Sequence, residues 1–92
     1  MDSLTGHFAK SLRGHDKDEI FLIIKEEENF AFLTDGKTRM LDNPKKKKLK
    51  HLEITNCISE DVREKINGSL KVTNGDIREA IENYKNNNAK GE

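Results

Sequence analysis

A small, mainly β barrel followed by two short helices is the architecture predicted here, and three features of the sequence carry that prediction. Short β-branched and aromatic runs recur between turn residues over the first 56 positions, after Ser59 the apolar spacing changes to the three-four period of helices, and the connections are tight. Ninety-two residues suffice for one domain. Leu, Ile, Val and Phe supply 22 of them, above the level typical of disordered chains, and the net charge is zero, so a folded core is expected.

Met1 to Leu4 reads as a frayed end, and Thr5 to Ser11 carries a weak strand signal in Phe8-Ala9. Leu12 to Asp18 is rich in turn formers, with Gly14 and then an Asp able to take positive φ. Glu19 to Lys25 holds Ile20, Phe21, Leu22, Ile23 and Ile24 in succession, which is the composition of a buried strand. Glu26-Glu27-Glu28-Asn29 is a charged turn, and Phe30 to Thr34 is the next strand. Asp35-Gly36 is a hairpin signal leading into a strand from Lys37 to Leu41, and His51 to Asn56 alternates as a fifth. Ser59 then caps a helix ending near Asn67, before Gly68. Thr73 to Asp76 fits a capping box, and Ile77, Ala80, Ile81 and Tyr84 form one buried face of a second helix. These elements divide the chain into a barrel over 1–57, a helical appendix packed on it over 58–86, and a frayed tail over 87–92.

Charge is strongly polarised within the stretch from Asp35 to His51. From residue 37 onward it carries seven of the seventeen Lys and Arg against one carboxylate, Asp42, for a formal +6, balanced by −4 on residues 1–36 and −2 on residues 52–92. Such polarity favours a polyanionic partner. Asn43-Pro44 before the lysine run, and Leu49 and Leu52 at its far end, predict a basic loop fixed at both ends and projecting from the barrel.

The motifs needed for other chemistry are missing. The core leaves little room for a catalytic cleft, Gly14 stands outside any glycine-rich phosphate loop, and no serine has a partnered histidine and acid, so no catalytic residue, cofactor or small-molecule substrate is expected. His15, Asp16, Asp18, Glu19, His51 and Cys57 match no zinc or calcium spacing, so no metal is expected. The longest apolar run, Ile20 to Ile24, is far too short to span a membrane, and one cysteine without a signal-peptide pattern fits a cytoplasmic monomer. Phe21 and at least one of Phe30 and Phe32 are assigned to the core, which leaves Phe8 as the phenylalanine to test as a surface contact.

Gly6 to Phe21 resembles the KOW motif, a loop between two strands found in ribosomal proteins and transcription elongation factors. The nearest likeness is to the fourteen-e family of archaeal and eukaryotic large-subunit ribosomal proteins and to small bacterial KOW proteins similar to them. The Ser-x-x-Gly-x-Asp-Lys-Gly core of those proteins is matched by Ser11, Gly14, Asp16 and Lys17. Their second block is matched by Asp35, Gly36, Arg39, Pro44 to Lys47, Lys50 and His51. The resemblance covers about residues 4 to 56 and departs at Asp18, where the motif has glycine, and at His15, where arginine is usual. It implies an SH3-like barrel that binds RNA, with ribosomal RNA as the expected partner. The contact residues would be Lys10, Arg13, His15 and Lys17 around the first loop, with Lys37, Arg39, Lys45, Lys46, Lys47, Lys48, Lys50 and His51 after it. Two other readings stay open: a protein-interaction barrel without RNA binding, and a lysine run acting as an import signal or anionic-membrane anchor.

Overall fold

A computed structural model describes residues 3–90, with side chains through residue 87. The strands are β1 (His7–Ser11), β2 (Ile20–Glu27), β3 (Phe30–Thr34), β4 (Lys45–Lys48) and β5 (Leu52–Ile58), followed by α1 (Glu60–Asn67) and α2 (Asn74–Lys90). They form one sheet in the order β4-β3-β2-β1-β5, with every neighbouring pair antiparallel. A mainly β, barrel-like sheet followed by two helices is thus what this chain forms. No described helix is long and apolar enough to cross a membrane.

The uninterrupted apolar run of β2 is explained by burial on both of its faces. Phe21 and Ile23 point inward with Ala9, Ala31, Leu33 and Leu52. Leu22 points outward with Phe8 and is covered by Val62, Ile77 and Ile81 from the two helices. Burying each of these larger side chains contributes about 1.5 to 3 kcal/mol. The helix starts follow local chemistry: Ser59 Oγ accepts from the Val62 N–H at 3.3 Å, and Thr73 and Asp76 exchange two bonds at 3.0 and 3.1 Å. Lys65 reaches Asp61 and Asp76, at 3.2 and 3.4 Å, and so ties α1 to the first turn of α2.

Several expectations are corrected. Phe8 is no surface contact: it is 5% exposed, with Tyr84 of α2 stacked on it at 4.5 Å between ring centroids. Neither Phe30 nor Phe32 is in the core, because Ala31 and Leu33 take the inward positions of β3 and both phenylalanines project outward, half-buried. Glu26 and Glu27 extend β2, so the charged turn shrinks to Glu28-Asn29 with Glu28 at φ 41°. Ser3 and Leu4 are anchored, through Arg63 to the Ser3 carbonyl and Glu26 to the Leu4 N–H, and the remainder of the expected frayed end, residues 1–2, lies outside the described residues. At the other end α2 runs to Lys90, while residues 91–92 lie outside the described residues.

The largest difference concerns the fourth strand. Residues 37–41 form no strand, because their backbone donors go to side chains. The Asp35 carboxylate accepts from the Lys37 and Arg39 N–H groups at 2.8 Å each, and Asn74 Oδ1 accepts from the Leu41 N–H at 2.8 Å. Gly36, at φ +76°, lies so close to α2 that a Cβ would fall 2.5 Å from the Asn74 carbonyl oxygen, and Arg78 donates to the Gly36 carbonyl at 2.7 Å. The Asp-Gly turn therefore docks on a helix. Strand β4 is made instead by the lysine run expected to be a loop, with Lys45 to Lys48 opposite Leu33, Phe32, Ala31 and Phe30 in turn.

Candidate nucleic-acid interface

The two-residue period of a strand divides the lysines between two faces. Lys45 and Lys47 share a face with Leu33 and Ala31, and both reach the β1–β2 loop. Lys47 is only 9% exposed, and its ammonium donates to Ser11 Oγ at 2.7 Å, the Arg13 carbonyl at 2.6 Å and Asp16 Oδ1 at 2.7 Å. An ammonium has three donors, and all three are satisfied. Lys45 meets the other Asp16 oxygen at 2.6 Å, and the Ser11 hydroxyl lies 2.7 Å from Oδ1. Burial alone would raise the Asp16 pKa, but the bonds from Lys45, Lys47 and Ser11 outweigh it and hold this carboxyl well below the usual range. A charged network thus joins the loop after β1 to the edge strand β4, between which there is no strand pairing.

That link brings the β1–β2 loop beside the lysine run. Arg13 and His15 of the loop lie beside β4 and the 3-10 turn Leu49–His51, where the Leu12 N–H donates to the His51 carbonyl at 2.9 Å. His15, Asp16, Glu19, Arg39 and Lys45 line one hollow together with Phe21 and Thr38. The His51 pKa is pulled below its ordinary value by partial loss of solvent and then by Arg13, Lys50, Lys48 and Lys47, so the imidazole is mostly neutral at pH 7 and adds a hydrogen-bonding group more than a charge. Arg13, Lys17, Arg39, Lys48 and Lys50 make no ion pair among the described residues. Lys46 has only a loose, exposed pairing with Glu27 at 3.8 Å, of small energetic value.

Not every candidate joins this surface. Lys10 pairs with Asp18 at 3.7 Å and borders a hollow with Glu53, Tyr84 and Lys85, while Lys37 shares a cleft with Glu19, Arg78 and Glu82 beside α2. Sequence reasoning passed over Lys25, which sits on the outer face with Phe32, its ammonium 5.4 Å from the ring centroid. The alternation of Phe30 and Phe32 was visible. Which parity faced outward depends on the fit of Ala31 and Leu33 against Phe21 and Ile23.

Asp18 holds φ 74° and Gly14 φ 91°, both in the left-handed region expected for this loop. Asp18→Gly is expected to raise the melting temperature by at most about 4 to 8 °C, since relieving an L-residue there is worth up to about 1 kcal/mol and the exposed Lys10 pair it loses is worth little. A lower melting temperature would show that the carboxylate stabilises the loop.

The chain is, in class, a small antiparallel barrel with one cationic edge formed by β4, the β1–β2 loop and the 3-10 turn. No protein-family model matches it. It is similar, at 42% identity over 40 residues, to a protein of Bacillus subtilis (strain 168) named "Putative ribosome-binding protein YbzG". The match takes in 44% of this chain and 54% of that protein, so the chain spans about half the length of this relative.

Proposed function

We propose that this protein associates with the ribosome by binding RNA, and that it does so as a cytoplasmic monomer without catalytic activity of its own. The observation that carries the reading is the joining of Arg13, Lys46, Lys48 and Lys50 on one edge, by a network that uses Lys45 and Lys47 to hold that edge in place. The name of the Bacillus subtilis relative supports the ribosome as the source of the RNA, and the likeness of Ser11 to Lys17 to the KOW motif supports the loop as part of the contact. Ammonium groups bind phosphate as point charges, so the surface reads backbone and shape more than sequence.

Binding should be steeply salt-dependent. With about three or four phosphates neutralised, log K against log salt falls with a slope of roughly −2 to −4, taking the coefficients for single strands and duplexes as bounds. Replacing Lys48 and Lys50 by Ala should reduce that slope by about one to two units and leave the melting temperature unchanged, since both side chains are exposed. Crosslinking in cells, with sequencing of the attached RNA, identifies the target. A flat salt dependence, or ribosome association indifferent to these lysines, would turn the reading toward a protein-interaction barrel.

A further inference from the structure

The outer surface of the sheet is divided in two. Over β1 and the first half of β2 the helices cover it, with Phe8 and Leu22 beneath Val62, Ile77 and Ile81. Over β3, β4 and the end of β2 no described element covers it, yet Phe30 and Phe32 project there. Phe30 lies opposite Lys48 on β4 and Glu27 on β2, and Phe32 opposite Lys46 and Lys25, so the two rings form a short aromatic row flanked by cations. What shields the rings is lysine. The Lys46 ammonium lies 4.5 Å from the Phe30 centroid and 5.8 Å from that of Phe32, and Lys25 lies 5.4 Å from Phe32. At the end of the row Phe30, Asn29, Lys48, Leu49 and Lys50 line a hollow of about 420 Å³.

Resting on the RNA-binding reading, we propose that this face is a stacking platform for unpaired ribonucleotides. A base displaces the Lys46 ammonium from Phe30 and stacks on the ring, while Lys46 and its neighbours Lys48 and Lys50 turn to the flanking phosphates. Charge complementarity argues for this occupant: four lysines surround the row, and the carboxylate that borders it, Glu27, is shared between Lys25 and Lys46 at 3.4 and 3.8 Å. An apolar protein partner would leave those ammonium groups desolvated and unpaired, whereas a single strand offers each ring a flat base and each ammonium a phosphate. A duplex keeps its bases stacked inside and cannot use the rings.

The test compares a short single-stranded RNA carrying aminopurine with a duplex RNA, each titrated against the wild-type chain and the Phe30→Leu, Phe30→Tyr and Phe32→Leu variants. Leucine keeps apolar cover over the sheet, and tyrosine keeps the ring. The expected result is that single-strand affinity falls about 5- to 150-fold in Phe30→Leu, the span of one lost base stack, while duplex affinity changes little. Aminopurine quenching on binding disappears with it, the salt slope stays the same, and Phe30→Tyr restores both affinity and quenching. Single-strand affinity unchanged in both leucine variants, an equal loss on duplex and single strand, or a tyrosine variant no better than leucine would each overturn the platform. In those cases RNA binding by the wild-type chain leaves the proposed function standing. Failure of the wild-type chain to bind either RNA or ribosomes would overturn both.

Discussion

Lys47→Ala is expected to cost about 2 to 4 kcal/mol of folding stability, while Lys46→Ala and Lys48→Ala, one position away on either side, cost less than about 0.5 kcal/mol each. Lys46 and Lys48 lie on the outer face in water. Lys47 is buried with its three donors used, and its loss leaves the Arg13 carbonyl and one Asp16 oxygen short of partners. The cost falls toward the low end of that seen for breaking a buried ion pair, because Lys45 and Ser11 still hold Asp16. The same network sets an acid limit. The Asp16 pKa is lower in the folded chain than in the unfolded one, so the carboxylate stabilises the fold wherever the unfolded carboxyl is ionised, above about pH 4. That contribution drains away as pH falls below that value toward the depressed folded-state pKa. Urea unfolding at neutral pH and near pH 3 should therefore show the gap between Lys47→Ala and the wild type only beginning to narrow in acid, because the folded chain keeps Asp16 ionised at pH 3. Equal midpoints for Lys46→Ala and Lys47→Ala at neutral pH would mean that the network does not hold the barrel together.

The second large effect is expected at Ile77, fully buried between α2 and the outer face of β1 and β2. Ile77→Ala should cost about 2 to 5 kcal/mol, through the transfer free energy of the deleted groups and the cavity they leave. In a domain whose whole stability is on the order of 5 to 15 kcal/mol, that is a large share. The loss would spread, because α2 does more than cover Phe8 and Leu22: Asn74 and Arg78 in its first two turns hold the segment after β3. An exposed neighbour, Glu79→Ala, is the control and should melt with the wild type. A melting transition unmoved by Ile77→Ala would show that α2 is not docked.

How much was legible in the sequence depended on the range of the forces involved. The starts of α1 and α2 were readable because Ser59, Thr73 and Asp76 bond to groups three residues away. Strand β3 was readable from its composition, and the positive φ of Asp18 from the motif it stands in. A strand of four lysines was not, since lysine is depleted in strands and these are held there by Asp16 and by pairing with β3, both remote in the chain. Asp35-Gly36 carries the local signature of a hairpin, and only the presence of Asn74 and Arg78, more than thirty residues on, shows where the turn goes instead. For the candidate site, the clustering of charge was legible. The division of labour between Lys47, which builds the surface, and Lys46 and Lys48, which face outward from it, required the register.

Because β4 is the last strand of an open sheet, its free side would be an invitation to another chain's edge strand. Composition withdraws that invitation. Two copies meeting edge to edge would set one lysine row against another, and the repulsion would be strongest where backbone pairing would otherwise begin. The lysines of β4 therefore also act as gatekeepers against self-association along that edge.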